Sequence, residues 1–131
     1  MAIKSSNISN AALTTGNSTA WDIFAVPNEE GLTQAVTTMV FCNSVLYNPA
    51  ATQDDTDQLT VYLVPSSDVS SFVSSGDSVR NKNLIINVLD IPPGETFTFE
   101  SEKIILNAGD SIKAKCSKGY LVCTVSSLDL T

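Results

Sequence analysis

The strongest constraint in this chain is a hydrophobic period of two, repeated in short segments that each stop at proline, glycine, asparagine or aspartate. Side chains alternate between the two faces of a strand, whereas one face of a helix returns only every three or four residues. From Gln58 to Val64, Leu59, Val61 and Leu63 alternate with Thr60 and Tyr62, and Pro65 ends the run. From Asn83 to Leu89, Leu84, Ile86 and Val88 alternate with Ile85, Asn87 and Leu89. Thr96 to Phe99 puts Phe97 and Phe99 on one face. The richest β-branched stretch, Leu32 to Leu46, sets Val36, Thr38, Val40 and Cys42 against Thr37, Met39 and Phe41. Because both of its faces are apolar, it reads as a central strand.

Trp21 to Pro27 and Ile104 to Leu106 add two shorter strands. Ser111 to Cys116 and Tyr120 to Ser126 read as a hairpin closed by Ser117-Lys118-Gly119, with Ile112, Ala114 and Cys116 inward and Lys113 and Lys115 in water. Between these runs lie turn residues with a mechanism. Pro92-Pro93-Gly94 presets a tight turn, and Asn107-Ala108-Gly109-Asp110 offers residues that accept positive φ. The serine-rich connection after Pro65 has room for a short helix capped by Ser66 or Ser67, with Phe72 and Val73 as anchors. The expectation is an all-β chain: an antiparallel β-sandwich, jelly-roll-like, of about eight strands.

With 131 residues the chain suits one domain with its own hydrophobic core. Residues 21–131 are expected to form that single β-sandwich domain, and residues 1–20 an N-terminal arm. The arm is rich in Ser, Asn, Thr and Ala, with Ile3, Ile8 and Leu13 as isolated apolar residues. Left free, these residues gain little; laid on a neighbouring subunit, they bury area and add a strand to an open sheet edge. The sequence leaves both readings open.

Hydrophobic residues make up 43% and charged residues 16%, and the formal net charge is −7. Such an acidic chain gains no counterion-release energy on a phosphate backbone, so nucleic acid is not an expected partner. No apolar run is long enough to span a membrane, and the N-terminus has no continuous apolar stretch of a secretory signal. Synthesis in a cytoplasm, in soluble form, is the expectation. Three cysteines, Cys42, Cys116 and Cys123, do not make a closed disulfide framework, and read as buried free thiols in a reducing compartment.

Candidate chemistry is sparse. There is no histidine, which removes the commonest general base and the commonest zinc ligand. Asp54, Asp55 and Asp57 suit a hard cation in type, but their spacing completes no calcium loop, and a solvated loop is the preferred reading. Asp77 and Asp110 each follow a glycine and read as turn residues that bond nearby backbone. Asp90 with Glu95, or Glu100 with Glu102, are examples of carboxylate pairs that glycoside hydrolysis would call for, and Glu100 and Glu102 beside Lys103 look like ordinary surface patterning. No catalytic residue, metal ligand or cofactor is therefore assigned. Trp21 and Tyr47 are the aromatics best suited to contact a partner, with Tyr47 beside a loop.

The C-terminal half carries a resemblance. Its elements are the Pro-Gly turn and Thr/Phe strand from Pro93 to Phe99, the run Ile-Leu-Asn-Ala-Gly-Asp-Ser-Ile at Ile105 to Ile112, the alternating segments after it, and a terminal Val-Ser-Ser-Leu-Asp-Leu. Val61 to Pro65 echoes it in the N-terminal half. This pattern resembles small β-sandwich structural proteins of tailed-bacteriophage virions. The resemblance implies a non-enzymatic virion component, most specifically an oligomeric capsid decoration or cement protein that stabilises the shell. A tail, neck or baseplate adaptor is the alternative within the same resemblance. It implies homo-oligomers, trimers favoured, and contact with the major capsid or tail protein, through partner-binding candidates Ile3, Ile8, Leu13, Trp21 and Tyr47. A glycan-binding β-sandwich module is the competing expectation.

Overall fold

The computed structural model describes residues 3–7, 21–68, 83–100 and 104–131, with residues 3–7 and Trp21 described by their backbone. The strands are β1 (Ile3–Asn7), β2 (Trp21–Ala25), β3 (Thr33–Asn43), β4 (Asp57–Val64), β5 (Leu84–Ile91), β6 (Thr96–Phe99), β7 (Ile104–Asn107), β8 (Ser111–Cys116) and β9 (Leu121–Asp129). A 3-10 turn at Ser66–Asp68 follows Pro65, where serine capping pointed to a short helix. Phe72, Val73 and Asp77 lie outside the described residues.

Among the described residues every strand pairing is antiparallel, and the pairings form two sheets. One has the order β1-β9-β3-β6 with β7 also on β3; the other has the order β2-β8-β4-β5. β6 and β7 occupy the same side of β3 one after the other, against Met39–Cys42 and Thr33–Val36 respectively, so together they fill one strand position. The outermost partners in sequence, β1 and β9, pair; so do β2 with β8, β3 with β6 and β7, and β4 with β5. A long antiparallel hairpin wrapped on itself produces this nesting, which is the jelly roll. The chain is thus an all-β sandwich. Within the first twenty residues, Ile3–Asn7 forms a strand on the β9 edge of its own chain, in register from Ile3 opposite Leu128 to Asn7 opposite Thr124.

The core lies between the sheets. Met39 and Phe41 of β3, with Cys123 and Val125 of β9, meet Leu59, Val61, Ile112 and Ala114 from the other sheet, all at most 1% exposed. Phe97 and Phe99 pack against this core from one face, as their alternation required.

Two strands depart from strict alternation, each at a bulge. In β3 the register slips between Val36 and Thr38, so Thr37 is the extra residue, and its hydroxyl donates to the Ser126 carbonyl at 3.2 Å. The slip turns Val36 inward with Met39 and Phe41, although simple parity had placed it with Val40 and Cys42. In β5 the register slips twice. Val88 takes φ 59° there and stands 53% exposed, a left-handed conformation that strains a β-branched residue. Bulges suit this edge strand, because they discourage another chain from extending the sheet. Val88→Asn is expected to raise stability by about 1 kcal/mol, since asparagine tolerates the left-handed region. A urea midpoint that falls, with an unchanged slope, would contradict the strain.

The expected β8–β9 hairpin does not form. β8 pairs with β2 and β4 in one sheet, and β9 pairs with β1 and β3 in the other, so the connection at 117–120 crosses the sandwich. Nor does Lys113 stand in water: it is 7% exposed, because β8 is central and Lys113 is flanked in register by Asp22 and Tyr62. Its ammonium donates to Asp22 Oδ1 at 2.6 Å.

Candidate functional site

Three connections converge at one end of the sandwich: the β3–β4 loop, the β5–β6 turn and the β8–β9 crossing. Two buried polar side chains hold them. Asn43, 1% exposed at the end of β3, donates from Nδ2 to the carbonyls of Ile91 and Asp55 at 2.9 Å each. Its Oδ1 accepts from Val45 N–H at 3.0 Å, and its own N–H donates to the Glu95 carbonyl at 3.0 Å. One amide thereby ties both ends of the β3–β4 loop to the β5–β6 turn.

Asp57 does the same for the crossing. It is 0% exposed. Its Oδ1 accepts from Lys118 N–H at 2.7 Å, Gln58 N–H at 2.9 Å and the Ser117 hydroxyl at 3.0 Å, and its Oδ2 accepts from Tyr120 N–H at 2.8 Å. A carboxylate removed from water is tolerated when donors saturate it this way. The expectation of a solvated loop therefore fails at Asp57, which opens β4 and organises a corner. It holds at Asp54, which is exposed and accepts from Thr56 N–H at 3.0 Å. Hydrogen bonding from Thr56 holds the Asp54 carboxyl below its ordinary value. Asp110, as its place after Gly109 suggested, bonds backbone at a turn, accepting from Asn107 N–H at 2.8 Å and Ser66 N–H at 2.9 Å.

On this pinned base stand two large side chains in solvent. Leu46 is 87% exposed and Tyr47 is 74% exposed. The Pro92-Pro93-Gly94 turn supports them: Glu95 N–H closes it onto the Pro92 carbonyl at 3.1 Å, and Gly94 has φ 75°. Tyr47 packs its backbone and Cβ against that glycine, within ordinary contact of where a Cβ would stand. Leu46, Tyr47, Pro92 and Pro93 border a shallow hollow of about 190 Å³, whose other rim carries Gln53, Asp54 and Asp55. The arrangement is an apolar tip with an acidic border, held in shape by hydrogen bonds.

Among the partner-binding candidates, Tyr47 is thus at the exposed tip. Trp21 opens β2 opposite Ala114, and Ile3 opens β1 opposite Leu128. Ile8 and Leu13 lie outside the described residues. Leu46 escaped notice in the sequence because it ends a β-branched run and reads as one more strand residue. Glu102 and Lys103 also lie outside the described residues. Asp90 bonds Gln58 Nε2 at 3.2 Å. Among the described residues no group of three or more His, Cys, Asp or Glu could hold a metal ion, and no helix is long and apolar enough to cross a membrane.

The three cysteines are free thiols. Cys116 and Cys123 are buried on strands of opposite sheets, whereas Cys42 is only half-buried. Burial, reinforced by the Asp57 charge, pushes the Cys116 thiol to about 11, and burial pushes Cys123 to about 12. Thiolate is the reactive form, so at pH 8 a thiol reagent should label Cys42 alone in dilute native protein and all three cysteines in denaturant. Stability should also fall as pH rises above about 9, because the unfolded thiols ionise there while the native ones keep their protons. Fast native labelling at Cys116 or Cys123 would show that this end of the core opens.

No protein family matches the chain, and no curated protein or solved structure matches it either. The fold and the site define it as a jelly-roll sandwich with a rigid apolar tip at one end.

Proposed function

We propose that this protein is a non-enzymatic structural component of a tailed-bacteriophage virion, most specifically an oligomeric capsid decoration protein that stabilises the shell. The observation that carries the reading is the Leu46–Tyr47 tip. Two large apolar side chains stand in solvent on a loop already held by Asn43 and by the Pro-Pro-Gly turn. Holding an anchor in its bound shape lowers the ordering entropy that association costs. Exposed aromatic and aliphatic residues on such a mount are typical of binding anchors. The jelly roll supplies the rigid body, and capsid proteins are among the domains that use it, although the fold alone decides no function. The resemblance of the Pro93–Leu130 segment to tailed-phage structural proteins points the same way.

In this reading the tip inserts into an apolar recess on a shell subunit, and the bordering Asp54 and Asp55 face basic residues around that recess. Many copies on a lattice convert a modest single contact into firm attachment. Quantitative mass spectrometry of purified virions tests it. A copy number comparable to the major shell protein is expected. A small fraction of that number would move the protein to the tail, neck or baseplate, and absence from particles would overturn the virion reading.

One observation favours a second reading. Tyr47 stands beside Gln53, Asp54 and Asp55 at one hollow, and an aromatic face with amide and carboxylate partners is a chemistry that sugars use. Glycan binding lost on Tyr47→Ala, in protein that does not join particles, would favour it.

A further inference from the structure

Beside the Tyr47 hollow, and sharing Asp54 with it, lies a larger cleft of about 340 Å³ lined by Asp54, Thr56, Gln58, Asp90, Ser117 and Lys118. That volume falls within the range of small-molecule sites. Three separate parts of the chain build it: residues 54–58 where the β3–β4 loop enters β4, the end of β5, and the crossing at 117–120. Its floor is pinned, because the buried Asp57 carboxylate holds the backbone of Gln58 and Lys118 and the hydroxyl of Ser117. The Lys118 ammonium donates to the Asp54 carbonyl, which fixes the wall between the two hollows. Gln58 Nε2 donates to Asp90 Oδ1 at 3.2 Å and sets those two side chains together. Bonding capacity is left over at both signs. Gln58 Oε1 and Asp90 Oδ2 can still accept, and Gln58 Nε2 and the Lys118 ammonium each keep hydrogens to donate.

We propose that this cleft binds a neutral saccharide unit, with the glycan continuing over Asp54 onto Tyr47. The lining selects that class. An anion would meet the carboxylates of Asp54 and Asp90, and a cation would meet the Lys118 ammonium. An apolar ligand would strip water from these charges and return no hydrogen bond. A sugar hydroxyl both donates and accepts, so neighbouring hydroxyls can give to a carboxylate and take from the amide or the ammonium. Across Asp54, the 74% exposed Tyr47 offers an aromatic face on which the C–H face of a second ring can lie. Asp57 has already ordered the backbone of the floor, so binding has only surface side chains left to fix. The inference deepens the glycan reading of the Tyr47 hollow, on which it rests for the second ring alone.

A microarray of neutral oligosaccharides ending in glucose, galactose, mannose or N-acetylglucosamine, probed with the fluorescent full chain, tests it, with calorimetry on the strongest binder. Binding to at least one of them is expected, at an affinity indifferent to salt because no ion pair forms. Gln58→Ala and Asp90→Ala remove exposed side chains, so melting should hardly change, yet each should weaken binding about 10-fold or more. Tyr47→Ala separates the two readings. Loss on Tyr47→Ala, with both cleft variants binding normally, would keep the glycan reading and overturn the cleft. Loss on both cleft variants, with Tyr47→Ala binding normally, would keep the cleft and end the Tyr47 reading. A chain that binds no neutral oligosaccharide, or whose binding rising salt abolishes, would also overturn the proposal.

Discussion

Replacing Asp57 with alanine is expected to cost about 3–5 kcal/mol, because it leaves a saturated buried site without its acceptor. Three backbone N–H groups and one hydroxyl donate to that carboxylate at 2.7 to 3.0 Å, and the residue is 0% exposed. After the change, Lys118 and Tyr120 N–H groups lose their partner at the point where the chain passes from one sheet to the other. A domain's total stability is only about 5–15 kcal/mol, so the variant should lose a large share of its urea midpoint. Asp57→Asn separates acceptor from charge. Its amide oxygen serves the three donors now on Oδ1, but its NH₂ faces Tyr120 N–H, so a smaller loss of roughly 1–3 kcal/mol is expected. A loss below about 1 kcal/mol in the alanine variant would mean that backbone pairing alone holds the crossing.

The second large effect concerns association and leaves the fold alone. Leu46→Ser combined with Tyr47→Ala removes two side chains that are 87% and 74% exposed, so melting should hardly change. If the tip is the anchor, incorporation into particles assembled with the variant should fall by roughly 100-fold or more, as for paired hot-spot residues. The acidic border makes a further distinction. Attachment should slow as salt rises, because Asp54 and Asp55 steer a basic partner that salt screens. Normal incorporation of the double variant would remove the tip from the interface and turn attention to other surfaces.

Much of the architecture was legible in the chain because strand chemistry is local. Leu59 to Leu63, Phe97 with Phe99, and Ile112 to Cys116 turn the faces that their alternation demanded, and Pro65 and Pro92-Pro93-Gly94 end strands where they should. The misreadings share one cause, which is that pairing partners are not local. Ser117-Lys118-Gly119 has the composition of a hairpin turn, yet nothing in those residues reveals that Asp57, far away in sequence, draws them into a crossing. Lys113 alternates like a surface residue, and only a central position between β2 and β4 buries it. Val36 follows parity until Thr37 bulges.

The candidate site divides along the same line. Tyr47 beside a proline-containing loop is visible as a candidate contact in the sequence. Its companionship with Leu46, Pro92 and Pro93 requires two loops that only the folded sheets bring together. The sequence by itself determined the all-β class, the approximate strand positions, the turns and the absence of histidine chemistry, because side-chain alternation, proline and glycine act within a few residues. Tertiary structure alone decided the jelly-roll pairing, the buried Asp57 and Asn43 pins, and which apolar residues stay outside the core. Those outcomes depend on which distant backbone groups meet and on what remains accessible to water once the two sheets close.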